Sequence, residues 1–419
     1  MMQQPRQRRR RRPRNILIAA AEFAVVAYGT YRLAKFAWDT YFEEEDDPDA
    51  DDGLLTPYNN SANRSSNNNL NVKMIQLRRC RVEASRALVD FLPHLKVRIQ
   101  GIPQVDAAEA VKCLKAIRKS KRNNNGSDDT ATKEAELWEV VKVRAVTKFF
   151  VSAYSFVLLF LVLTVQVHLL GSKKVKDQLI DADFSPRQED DNTGTIDADG
   201  DSLLREGDDD EMGETSIDAA TVQERHHLVL KCTYDYFFQH GLPALSQAIE
   251  TAVLNCMAGW DMSNLVDVKE EDFIAVLNDI RNTVEVKDDN NVRPASNKCV
   301  AKLAESSALL QYIVQNAESV EIDDPSVRYV LDETWDIVES PAFGVALTEC
   351  LKSTLQISRE GLLVFRSTPN PPSLAQVVTQ LKQTAGNFFV DEINAVYLTQ
   401  LATLPTVHEL GLASFDFGS

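Results

Sequence analysis

The chain has 419 residues, 44% hydrophobic and 26% charged, with sixteen Gly and fifteen Pro. That suits two to three folded domains and excludes collagen-like or wholly low-complexity architectures. The net charge of −17 argues against a generic nucleic-acid binder, and six scattered Cys without a Cys-x-x-Cys pair argue for buried thiols in a reducing compartment.

The charge is unevenly placed. Residues 1–42 carry +7, residues 43–53 (EEEDDPDADDG) carry −8, and residues 181–218 carry −13, leaving −3 for the rest. Acid runs with so few apolar residues cannot bury enough surface to offset ordering entropy, so 181–218 reads as a disordered insert. The expected organisation is a basic tail (1–15), an apolar anchor (16–38), an acidic and Asn-rich linker (39–72), a first helical part (73–180), the insert (181–218) and a second helical part (219–419).

Seven Arg between Arg6 and Arg14 precede the apolar run Ile16–Tyr31, interrupted only by Glu22. Ile16, Leu17, Ile18, Phe23, Val25 and Val26 supply its apolar surface. A secretory signal needs a small-residue cleavage site where this chain has aromatics and acids. A mitochondrial presequence would be amphipathic, whereas Ile16–Ala21 is apolar all round. A single membrane anchor fits better, with Tyr28, Tyr31 and Trp38 as interfacial aromatics and Arg32 and Lys35 snorkelling. The rival is an amphipathic surface helix, because sixteen residues fall short of the roughly 20 that a span needs.

Phe149–Leu170 is more apolar still: fifteen of its 22 residues are Leu, Phe or Val. On an insertion scale these give roughly −7 kcal/mol, against about −3 for the first run, which Glu22 largely cancels. Hydropathy alone therefore favours a transmembrane span. The alternative is a central bundle helix covered on every face. Three bases on each side give no orientation.

The remainder reads as helices. Met74–Leu95 carries apolar residues at three- and four-residue steps, ending between Pro93 and Gly101. Asp106–Lys121 follows, then a stripe from Leu242 to Cys256 after a break at Gly241-Leu242-Pro243. Val330–Val338 and Ala342–Leu351 come next, with Ser340 as N-cap and Pro341 in the first turn. Leu374–Gly386 and Asp391–Leu401 close the chain. The body is expected to be all-α.

Chemistry is thin. There is no GxGxxG, Walker loop, GxSxG or HExxH. Asp197–Asp201 begins like a calcium loop but lacks its Gly and its terminal Glu. His226 and His227 are adjacent, about 100° apart on a helix, and read as surface or helix-start residues. The sequons at Asn59, Asn63 and Asn125 fall in Asn-rich linkers. No enzyme, cofactor or metal is expected.

Two blocks carry a resemblance. Leu137–Gly171 (LWEVVKVRAVTKFFVSAYSFVLLFLVLTVQVHLLG) resembles the hallmark stretch of the peroxin-3 family of peroxisome membrane biogenesis factors. Leu331–Leu351 (LDETWDIVESPAFGVALTECL) is similar to that family's Glu-Thr…Glu-Ser-Pro-x-Phe…Cys-Leu segment. Phe91-Leu-Pro-His-Leu95 and the helix at 241–253 add weaker support. The resemblance implies an all-α fold, a single N-terminal transmembrane helix followed by an elongated cytosolic helical bundle, with Phe149–Leu170 as its central helix. It thereby surrounds that helix with protein, against what hydropathy favours.

The resemblance also implies an activity. The family receives peroxin-19, the chaperone of new peroxisomal membrane proteins, by binding that partner's N-terminal amphipathic helix in an apolar groove. Trp138 matches the family's groove Trp, although the residues alone would read it as a core Trp. Val141, Leu114 and Lys115 match further groove positions, and Lys115 could pair with an acid of the incoming helix. Glu134, Glu136, Glu139 and Lys142 imply a surface helix with Trp138 at its rim. Glu134 stands where relatives often carry Lys, so an ion pair there would be lost or reversed. Thr164 stands where some relatives have Arg. Other implied partners are peroxisomal membrane lipids and adaptors of organelle inheritance or pexophagy. Nucleic acid is not among them.

The implied location is the peroxisomal membrane, single-pass, with insertion through the endoplasmic reticulum or directly left open by the residues. Two rivals stand beside docking: a two-span channel or carrier component, and a tethering scaffold recruiting cytosolic factors through its acidic tracts.

Overall fold

The computed structural model describes residues 61–123, 128–172, 219–262, 267–285, 309–313, 324–367 and 371–417. The basic tail, the anchor at 16–38, the acidic run at 43–53 and the insert at 181–218 lie outside the described residues.

The described chain is helical, and no strand occurs among the described residues. In order the elements are α1 (Ser61–Gln100), α2 (Ala108–Asn123), α3 (Asp128–Gly171), α4 (Ala219–Tyr236), a π turn (Phe237–Gly241) and α5 (Leu242–Cys256). Then come α6 (Glu270–Glu285), a 3-10 turn (Leu310–Tyr312), α7 (Pro325–Glu339), α8 (Pro341–Glu360) and the short α9 (Val364–Ser367). The chain continues through α10 (Leu374–Asn387), α11 (Asp391–Ala402) and α12 (Pro405–Phe417).

The axis of the fold is α3, whose 44 residues extend about 65 Å at 1.5 Å per residue. Helices α1, α2, α5, α7, α8, α10 and α12 all pack on it. Every residue from Phe149 to Leu170 is buried. This helix is long and apolar enough to cross a membrane, yet its most apolar window is enclosed by protein. Its polar groups confirm the kind of cover it has. Gln166 Nε2 donates to Thr233 Oγ1 (2.8 Å), and Gln166 Oε1 accepts from Tyr234 (3.3 Å). Thr164 Oγ1 donates back to the Phe160 carbonyl at 2.8 Å. Tyr154 donates to the buried carboxylate of Glu285 (2.7 Å), which also accepts from Arg281 (2.7 Å). Burial and that carboxylate together push the Tyr154 hydroxyl well above its usual pKa.

Helix starts follow local chemistry. Asp324 caps α7 by accepting from Ser326 N (2.9 Å) and Val327 N (3.3 Å), and its carboxylate also ties to Arg225 of α4 at 2.8 Å. Ser340 caps α8 through Phe343 N, with Pro341 in the first turn, as expected. Ser373 and Gln376 form a capping box on α10.

Several expectations need correction. Helix α1 begins at Ser61, inside the stretch read as linker, so Asn63 is helical. Gly241-Leu242-Pro243 is no break: α4 passes into α5 through the π turn, with Pro243 in the first turn of α5. A further helix, α12, follows the two read as closing the chain. His226 is buried within α4 rather than on the surface. Of the cysteines, Cys80 and Cys350 are buried, but Cys113, Cys232 and Cys256 are only half-buried.

At the π turn, a Cβ on Gly241 would lie 1.9 Å from the Tyr312 carbonyl oxygen. Gly241→Ala is therefore expected to cost about 1–3 kcal/mol, read as a lowered midpoint in thermal unfolding.

Candidate partner-binding groove

Helices α2 and α3 form a hairpin with its own small apolar cluster. Its buried members are Ala107, Ala110, Leu114 and Val141, and Val111, Leu137 and Trp138 pack against them half-buried. Asp106 starts α2 by accepting from Ala108 N at 2.8 Å, while its carbonyl accepts from Arg144 of α3. The cluster is separate from the main core around α3.

Of the four expected groove residues, Leu114, Val141 and Trp138 come together in this cluster. Lys115 is exposed on α2 beside Leu114. Two contacts escaped the sequence. The Arg118 guanidinium carbon lies 5.1 Å from the centroid of the Trp138 ring. Arg118 Nε also donates to Glu134 Oε1 at 3.2 Å. The acid at 134 is thus held within the hairpin, and the cation on the indole contributes about 0.5–1 kcal/mol at such an exposed site. The spacing carried a faint signal: Arg118 is one turn beyond Leu114, and Glu134 one turn before Trp138.

The floor of the hairpin is fixed by a side chain read as surface. Lys142 is 1% exposed. Its Nζ donates to the carbonyls of Trp260 (2.5 Å) and Met257 (3.3 Å) and pairs with Glu139. Glu139 in turn accepts from Met262 N at 3.2 Å. The burial is tolerated because two carbonyls and a carboxylate satisfy the ammonium. Loop 257–262 is thereby clasped to the turn of α3 that bears Trp138.

The Peroxin-3 family profile matches residues 60–410. The chain belongs to the peroxin-3 family. No curated protein matches it. As a peroxin-3 family member it is a peroxisome biogenesis protein of the peroxisomal membrane. The hairpin cluster and the whole described bundle up to Leu410 fall inside the matched range.

Elsewhere in this peroxin-3 family member a pocket of about 170 Å³ lies between α6 and α8, lined by Leu277, Leu355, Leu362 and Phe365. Its bases Arg281, Lys352 and Arg359 are paired with Glu285, Glu349 and Glu270. With its charges spent internally, it offers a charged ligand less than the α2–α3 hairpin does.

Proposed function

We propose that this peroxin-3 family member is a non-catalytic docking receptor that binds the N-terminal amphipathic helix of peroxin-19 in the groove between α2 and α3. On this reading it is a single-pass protein whose bundle faces the cytosol and receives newly made membrane proteins from the chaperone. The observation that carries the reading is the half-buried Trp138 set in a small apolar cluster apart from the core. A helix docking there fills the patch with residues at i, i+3 and i+4, and a large flat indole is the side chain most suited to act as its anchor. Lys115, exposed at the rim, gives an acid on the incoming helix a partner.

Trp138→Ala is expected to weaken binding of a peroxin-19 N-terminal peptide by at least ~2 kcal/mol, with helicity by circular dichroism unchanged. Unchanged affinity would sink the groove assignment. Protease protection of the full chain tagged at both ends tests the single-pass arrangement separately.

A further inference from the structure

Helix α6 packs on α5 and α8 packs on α3, and a cleft of about 170 Å³ opens between α6 and α8. Its floor is Phe149 of α3 and Leu362 of the turn after α8, both buried. Ile274 and Leu277 of α6, Leu355 of α8 and Phe365 of α9 form half-buried walls. Between Leu362 and Phe365 in the chain, Leu363 is 57% exposed, the most open large apolar side chain among the described residues. The mouth of the cleft is polar. Arg359 Nε of α8 donates to Glu270 Oε1 of α6 at 3.1 Å, and the pairs Arg281–Glu285 and Lys352–Glu349 cancel two more charges. Asn278 and Gln356 are exposed there, and the Asn278 amide bonds to no described residue.

We propose that the α6–α8 cleft is a second docking site, which seats one phenylalanine side chain from a partner protein's segment of little net charge. An apolar cavity of about 150 Å³ lined by Leu, Ile and Phe stays dry and admits a benzene ring. This cleft has that size and that lining. A pit of this kind ringed by polar groups is how an interface seats an anchor residue, because the ring keeps water from the centre. The surroundings suit a side chain borne on a polypeptide rather than a free ring. Leu363 carries apolar surface beyond the pit, and the Asn278 amide offers a main chain both a donor and an acceptor. Each base at the mouth has its own carboxylate, so neither sign of charge is favoured in what lies across it. Helix α2 differs, presenting Lys112, Lys115, Arg118 and Lys119 with Glu109 as its one acid. The cleft and the α2–α3 groove thus select partners of different charge. The cleft stands apart from the groove, and its failure would leave the groove untouched.

The test uses the full chain in phosphatidylcholine nanodiscs, carrying Trp138→Ala so that the groove contributes no binders. The probe is a displayed library of short random peptides, from which the tightest binder is synthesised. Selected peptides are expected to share one Phe flanked by uncharged or mixed-charge residues. Changing that Phe to Ala should weaken binding at least about thirtyfold, as for a central interface anchor. Leu355→Trp fills the pit and should weaken binding as far. Leu363→Ser, on the exposed lip, should weaken it several-fold with the thermal midpoint unchanged. A tenfold rise in salt should change the affinity less than about twofold, because the charges at the mouth are already paired. Selection that yields no Phe-anchored peptide overturns the proposal, as does binding that survives both substitutions or falls steeply with salt. Toluene entering the pit where no peptide binds assigns it to a small molecule and also overturns the proposal.

Discussion

Replacing Lys142 with methionine is expected to destabilise the full chain by about 3 kcal/mol, measured by denaturant unfolding in mild detergent. The stem of the side chain is preserved, so little packing is lost. What disappears is the ammonium that the carbonyls of Met257 and Trp260 share. One buried and one partly buried acceptor are left facing an apolar terminus, each losing a charge-assisted hydrogen bond. Glu139 is far more exposed than Lys142, so Glu139→Gln is expected to cost under about 1 kcal/mol. Trp260 packs edge-on against Phe273, with ring centroids 6.1 Å apart. Loosening the clasp should therefore speed amide exchange at Met262 and along the start of α6. Equal costs for the two variants would mean that the ion pair, rather than the carbonyls, sets the role of Lys142.

The second large effect is acid sensitivity at the other end of α3. The Nδ1 of His168 donates to the Thr164 carbonyl at 2.6 Å, and the ring lies against Gly411 of α12. Burial, with Arg81 and His408 nearby, lowers its pKa from 6.5 to about 4. The folded state thus binds this proton less readily than the unfolded chain does. Its contribution is complete above pH 6.5 and falls away as the pH drops toward 4. The loss is about 2 kcal/mol at pH 5 and about 3 kcal/mol at pH 4. His94, also lowered to about 4 by burial first and Arg98 second, acts in the same direction. In His168→Gln, the decline of stability between pH 6.5 and 4 should be shallower than in the unaltered chain. Parallel curves would show that the ring is not buried neutral.

The helical class and most helix positions were legible because the amphipathic spacing and the Ser340-Pro341 start are local signals. The fate of α3 was not. A helix apolar on every side looks the same whether lipid or protein surrounds it, and only family resemblance favoured protein. Besides α1, α2 and α5, its cover comes from α7, α8, α10 and α12, more than 150 residues later in the chain. Helix α12 was missed because Gly411 interrupts its helical pattern. That glycine is there for a tertiary reason, since a Cβ would come within 2.9 Å of His168. The first turns of α1 were hidden by Ser and Asn, which favour caps and turns over helix interiors. In the hairpin, Leu114, Val141 and Trp138 do meet in one apolar cluster, but Lys142 was misplaced. Sequence shows a charge without showing the two carbonyls that wait for it.

The order of synthesis gives the central position of α3 a cost. Its greasy stretch is complete at Leu170, but α10 and α12 are not made until about residue 417. At 5–20 residues per second that interval lasts roughly 10–50 s. Throughout it, a segment apolar enough to enter a bilayer leaves the ribosome without its future neighbours. Whatever shelters the nascent chain must hold this stretch back from lipid until the last helices arrive.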